Sequence, residues 1–205
     1  MVENINDINL GIIALYRGDY LNQFHIREMS RLIGKSHVSL LPYLKRFEKD
    51  KILIPKQVGK SKVYSINFNN NKVREFLSFS EKKKTLELLN KEFFVSKIYD
   101  EFINSLDGCL ILFGSYAVGD YTKESDIDLL YIGYIKEKEK KKILEFGKTY
   151  KKEIHLVSMS LKQFKEQLLK HSSLIKEVVK NHIILYNQDI FINEIWRYFY
   201  ERREI

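Results

Sequence analysis

Asp126 and Asp128 are two carboxylates one residue apart, with Ile127 between them and Leu129 and Leu130 after them. On a strand, residues two apart face the same way, so the carboxylates project from one face while Ile127 and Leu129 point to the other. Like charges this close repel unless a cation or a shared proton relieves them. A hard divalent ion such as Mg²⁺ takes carboxylate oxygens and usually brings substrate phosphates with it. Upstream, Gly114 and Ser115 break the apolar run Leu110-Ile111-Leu112-Phe113. Glycine lets a backbone approach a ligand closely, and a serine hydroxyl and N–H at what reads as a helix start suit a phosphate. One strand end offers phosphate binding and the next offers metal. The stretch Leu110–Tyr131, LILFGSYAVGDYTKESDIDLLY, therefore reads as a nucleotide–metal site.

The elements that must position this pair follow from composition and period. Leu110 to Phe113 is short and apolar enough for a buried strand, with Cys109 at its start as a buried, inert thiol. A second strand begins at Asp126. Residues 72–107 hold no Pro or Gly, and Leu86, Leu88, Leu89, Phe93, Phe94, Ile98, Phe102 and Ile103 give an apolar face, which predicts a connecting helix or two. The charge run Lys136 to Lys142 reads as the exposed face of a helix leading to Phe146. Glu153 to Val157 predicts a third strand, followed by helices from about Ser160 to Leu169 and from Leu174 to Lys180. An apolar run Ile183–Tyr186 and an aromatic tail, Ile190 to Arg203, close the chain; the tail reads as a packing face.

Gly114-Ser115 followed by Asp126-Ile127-Asp128, within FGSYAVGD and SDIDL, resembles the signature of the DNA polymerase β-type nucleotidyltransferases, and most closely their minimal branch. The resemblance implies that Gly114 and Ser115 hold the triphosphate of a nucleotide, with ATP expected. It implies that Asp126 and Asp128 bind Mg²⁺ and serve catalysis. Family members usually carry a third carboxylate on the next strand, and here that position falls on His155. A neutral imidazole can act as ligand or general base, since its pKa lies near neutrality. The alternative is a domain that binds nucleotide without transferring it. Glu153 lies two residues from His155, hence on the same face.

Residues 1–70 read as three helices and a hairpin. The apolar positions from Ile8 to Tyr16 suit a first helix. Ile26, Met29, Leu32 and Ile33 suit a second, stopped at Gly34. Leu40, Leu41, Leu44 and Phe47 suit a third, capped by Ser36 or Ser39. Pro42 costs little if that helix begins near Ser39. Ile52–Ile54 and Val63–Ile66 then flank a basic tip, Gly59-Lys60-Ser61-Lys62. LLPYLKRFEKDKILIPKQVGKSKVYSIN resembles the recognition-helix-and-wing half of a winged helix-turn-helix. That resemblance implies a nucleic-acid face, with DNA expected, built from Ser36, His37, Ser39, Tyr43 and Lys45 on or near the helix and Lys60 and Lys62 in the wing. Charge agrees. Residues 1–80 carry 13 basic and 7 acidic side chains, the remainder 22 and 20. The electropositive part is where nucleic acid would dock. Winged helices also serve as dimerisation or protein-docking modules, so a homodimer is compatible.

Composition frames the whole. Among 205 residues there is a single cysteine, which excludes an internal disulfide. No stretch is long or apolar enough to span a bilayer, and Met1-Val2-Glu3-Asn4 does not begin a signal peptide. A soluble cytoplasmic protein without a membrane partner is expected. The fold expected is α+β: a winged helix-turn-helix over 1–80, then a nucleotidyltransferase domain over 81–205 with a mixed β-sheet and flanking helices. The activity expected is transfer of a nucleoside monophosphate from ATP to an acceptor, which could be a protein hydroxyl, an RNA end or a small molecule. A DNA-binding transcriptional regulator whose second domain senses nucleotide without catalysis is the alternative.

Overall fold

The computed structural model describes residues 6–203. The opening Met1–Asn4, expected not to begin a signal peptide, lies outside them. By its internal contacts the chain divides into two compact units: one ends at Ser80 and takes in the chain again from Trp196, and the other runs Glu81–Ile195.

In the first unit, helix α1 (Asp7–Ala14) is capped by Asn6, whose side chain accepts from the Asn9 N–H. After a two-residue strand β1 (Phe24–His25) come α2 (Ile26–Ile33) and α3 (His37–Lys49). α2 stops at Gly34, which takes the left-handed conformation (φ 69°) that glycine adopts without cost. Ile12, Ile13, Tyr16, Met29, Leu40, Leu44 and Phe47 are buried. Strands β2 (Leu53–Val58) and β3 (Ser61–Ile66) form a hairpin, and the antiparallel sheet has the order β1-β3-β2. Tyr16 seals it from the helical side. Its hydroxyl donates to the Tyr64 carbonyl at 2.8 Å and its ring meets Phe24 edge-on.

Two expectations for this unit need correction. α3 begins at His37, so Pro42 sits inside it. The missing N–H costs one helical bond to the carbonyl of Val38, on a solvent-facing turn where Val38 is 62% exposed and water can serve that carbonyl. The last residues also do not stay with the second unit as the expected range 81–205 had them. Trp196 packs on Phe68 at 4.7 Å between ring centroids and on Tyr20 at 6.2 Å, with the Arg74 guanidinium over its ring. Aromatic area of this size outweighs chain proximity in choosing a neighbour.

The second unit is built on four strands in the order β6-β5-β4-β7. These are β4 (Cys109–Phe113), β5 (Ile127–Ile132), β6 (Ile154–Met159) and β7 (Ile183–Tyr186). β4 pairs antiparallel with both β5 and β7, while β5 and β6 are parallel, so the sheet is mixed. α4 (Lys72–Lys91) leads in from the first unit and α5 (Phe93–Phe102) follows it. Val95, Ile98 and Phe102 of α5 join Leu110, Leu112, Ile127, Leu129 and Tyr131 in one core cluster. The one-turn helix α6 (Gly114–Val118) leaves β4 directly, and α7 (Glu137–Thr149) makes the parallel crossover, burying Ile143. α8 (Leu161–Leu169) starts with a capping box between Ser160 and Gln163, the reciprocal pairing that satisfies two free N–H groups. α9 (Ser173–Lys180) and α10 (Gln188–Arg202) complete the order. Cys109 is fully buried, and burial pushes its thiol pKa far up, as suits an inert core cysteine. Among the described residues no helix is long and apolar enough to cross a membrane.

Candidate functional site

The polar side chains of the second unit gather where β4 ends and β5 and β6 begin. Asp128 is the second residue of β5, and its pairing partners are Phe113 on β4 and His155 on β6. Asp126 stands just ahead of β5 and Glu153 just ahead of β6. In parallel strands such matched starts bring side chains of equal register onto one edge.

Gly114 follows Phe113 at φ 66°, the left-handed region that a side chain disfavours. A Cβ placed there would lie 2.3 Å from Asp128 Oδ2. The sequence suggested a glycine that admits a ligand; the group lying against it here is the Asp128 carboxylate. Ser115 opens α6 next to it. At the other end of α6, Gly119 is also left-handed (φ 94°), but a Cβ there would meet nothing within 4 Å. Of these two glycines, Gly114 is the one required by a close approach.

The other Asp128 oxygen, Oδ1, lies 3.4 Å from His155 Nδ1, while His155 Nε2 lies 3.1 Å from Glu153 Oε1. The imidazole is therefore flanked by a carboxylate at each nitrogen. Glu153 foremost raises the His155 pKa above its ordinary value; desolvation opposes it, and Asp128 and then Asp126 add to the rise. Asp126, Glu153 and His155 each offer a ligand atom, and these atoms lie within 4.8 Å of one another. Crowded negative charge attracts either a proton onto the imidazole or a metal cation, and the donor set of carboxylate oxygens and one imidazole fits a divalent ion.

Lys152 frames this edge. Its ammonium donates to the Tyr116 hydroxyl of α6 at 3.1 Å, to the Ser125 carbonyl at 3.2 Å and to the Lys123 carbonyl. Tyr116 also stacks on Tyr121, ring centroids 4.1 Å apart. The loop between α6 and Asp126 is thus tied to the residue before Glu153. Sequence reasoning named neither Lys152 nor, as a site residue, Glu153. Strand alternation put Glu153 beside His155, but nothing local announces that Lys152 reaches back across the loop.

The residues expected on a nucleic-acid face are placed differently. Ser36 caps α3, its hydroxyl accepting from the Ser39 N–H at 3.1 Å, and the Ser39 hydroxyl donates to the Ser36 carbonyl at 2.7 Å. His37 and Lys45 are exposed and Tyr43 is half-buried. Lys60 lies in the exposed turn of the β2–β3 hairpin. Lys62 is held by Glu48 at 3.2 Å, with its ammonium over the Tyr64 ring. These seven lie on one unit, and among them hydrogen bonds link Ser36 to Ser39.

Residues 95–186, which hold this strand, the glycine-serine turn and the aspartates, match the family described as the nucleotidyltransferase domain. Three proteins of Methanocaldococcus jannaschii, each named "putative protein adenylyltransferase", are similar to this chain. The first is 43% identical over 63 aligned residues, the second 29% over 96 and the third 51% over 45. The matches cover 25%, 47% and 20% of this chain, and 63%, 66% and 43% of those relatives' own lengths. A solved structure described as a toxin-antitoxin with AMP-PNP shares 20% identity at a TM-score of 0.35, over 55% of this chain and 90% of that one.

Proposed function

We propose that the second unit transfers a nucleoside monophosphate from ATP to a hydroxyl acceptor, and that a protein is the acceptor. The observation that carries the reading is the close approach of the Asp128 carboxylate to Gly114, which has no side chain in the way, with Ser115 and Asp126 within two residues of them in the chain. The names of the archaeal relatives support ATP as donor and a protein as acceptor.

Chemically, the acceptor oxygen forms the new bond to the α-phosphorus while the bond from that phosphorus to the bridging oxygen of the β-phosphate breaks. Pyrophosphate leaves with the electron pair, and the hydroxyl proton passes to a carboxylate on this face. Gly114 and Ser115 offer the backbone N–H groups and the hydroxyl of the turn to the phosphates. Asp126 and Asp128, with Glu153 and His155 beside them, are the residues that would hold a divalent ion such as Mg²⁺. Such an ion, when bound, supplies positive charge to the phosphate oxygens and orients the acceptor. Lys152 keeps the loop carrying Asp126 in place.

For the first unit we propose a winged helix-turn-helix that binds DNA. Its three helices, the β2–β3 hairpin and the excess of basic residues up to Ser80 support that reading. A regulator that senses ATP without turning it over is the second reading, favoured by the imidazole of His155 where a third carboxylate would stand.

The test is incubation of the purified chain with a divalent ion, α-labelled ATP and co-purifying protein. Label on a protein together with released pyrophosphate, both lost in an Asp126→Asn/Asp128→Asn double variant, is the expected result. ATP binding without transfer to any acceptor supplied would favour the sensor, and absence of ATP binding would sink both.

A further inference from the structure

We infer that Asp126, Glu153 and the Nε2 of His155 are the donors of a single cation site, that Asp128 orients the imidazole from behind, and that the site prefers a first-row transition ion over Mg²⁺. The inference rests on the cation-dependent reading above and replaces the simple aspartate pair as the ligand set.

Three observations lead there. His155 Nε2 and Glu153 Oε1 are 3.1 Å apart, and two neighbouring ligands of an octahedral ion at about 2.1 Å stand roughly 3.0 Å from each other. Asp126 adds a third donor, one ligand atom from each of the three residues lying within 4.8 Å of the others. The second ring nitrogen, Nδ1, faces Asp128 Oδ1 at 3.4 Å. That is the arrangement by which metal-bound histidines are usually held: the ring N–H away from the metal donates to a carboxylate, which fixes both tautomer and ring orientation. Gly114 completes it, since its missing side chain leaves room for the other Asp128 oxygen. Two of the three donors stand at the start of β6 and the third just ahead of β5, so the parallel pairing of those strands sets the spacing.

Ion preference follows from the donor atoms. Mg²⁺ favours oxygen ligands and gives up its water reluctantly, while first-row transition ions accept imidazole nitrogen readily. Replacing one carboxylate of an all-oxygen set by an imidazole therefore moves the site away from Mg²⁺. It also lowers the negative charge by one, which weakens the hold on a hard ion most.

Mn²⁺ is the probe, because its electron paramagnetic resonance signal reports both binding and ligand identity. The full chain, free of nucleotide, is titrated with Mn²⁺ and then challenged with Mg²⁺, and pulsed spectra are searched for hyperfine coupling to ¹⁴N. Coupling to one imidazole nitrogen, with a large excess of Mg²⁺ needed for displacement, is expected. In His155→Asp the coupling disappears and Mg²⁺ displaces Mn²⁺ far more readily. In Asp128→Asn the coupling persists while Mn²⁺ affinity falls about 10–100-fold. Circular dichroism establishes that each variant is folded, and the wild-type spectrum decides the matter even if a variant is not. Bound Mn²⁺ without nitrogen coupling, displacement by equimolar Mg²⁺, or no Mn²⁺ binding would each overturn the inference. These readouts are independent of nucleotide transfer. Transfer without nitrogen coupling leaves the enzyme reading standing and removes this one, and coupling without transfer does the reverse.

Discussion

Two polar regions of this chain were singled out by residue type, and they are organised in opposite ways. At the edge of the mixed sheet, Gly114, Asp126, Asp128, Glu153 and His155 come from the ends of three strands and converge within a few ångströms. On α3 and the β2–β3 hairpin, the seven candidate residues stay spread over a surface and engage mainly their own neighbours. Convergence from distant positions carries a cost in desolvation and repulsion that a ligand or proton must offset. A dispersed set costs nothing and suits a long, evenly charged partner. The first arrangement can concentrate charge on one group, and the second cannot.

The sharpest way to break the contrast is to remove the converging charge. Asp126→Asn/Asp128→Asn should lower label transfer by more than about 10³-fold, while leaving DNA binding by a gel-shift assay unchanged. Next comes the pair of glycines at the two ends of the same short helix. Gly114→Ala and Gly119→Ala each place a side chain in left-handed backbone, costing about 1–2 kcal/mol in denaturant unfolding. Only Gly114→Ala also drives a methyl into Asp128, so it should abolish transfer where Gly119→Ala keeps most of it. Equal effects on transfer would mean that the close approach at Gly114 is irrelevant. In the other region, Ser36→Ala should cost about 1 kcal/mol of stability through the lost cap, read from the same denaturant curves, and change DNA specificity little. Smallest is the wing. Lys60→Gln should reduce the slope of log affinity against log salt by about 0.9, and Lys62→Gln by less, because Glu48 already occupies its ammonium.

How far the sequence could be read follows the same division. Gly114, Ser115, Asp126 and Asp128 were visible because a turn and a strand start put their chemistry into a short continuous stretch. The order of helices and strands was legible from apolar period and from punctuation such as Gly34 and the Gly59-Lys60 turn. What escaped depends on pairing between strands. Strand alternation placed Glu153 on the face of His155, but only the register of β5 against β6 sets the imidazole between two carboxylates. The aromatic tail announced a packing face without an address, and Trp196 finds Phe68 through contacts that no local pattern encodes. Ser36 and Ser39 both suit the cap of α3; Ser36 takes it, and the exposed turn at Val38 tolerates Pro42 inside the helix.

The Lys152 tether gives the loop ahead of Asp126 a protease signature. Trypsin cuts after lysine, and the peptide bond after Lys123 is the one whose carbonyl accepts from the Lys152 ammonium. A protease must draw that segment out as an extended strand, which requires the carbonyl to leave its partner and the Ser125 carbonyl to follow. Scission at Lys123 is thus gated by a side chain from the start of another strand, and the rate of nicking there becomes a clock for how often the acidic edge comes apart.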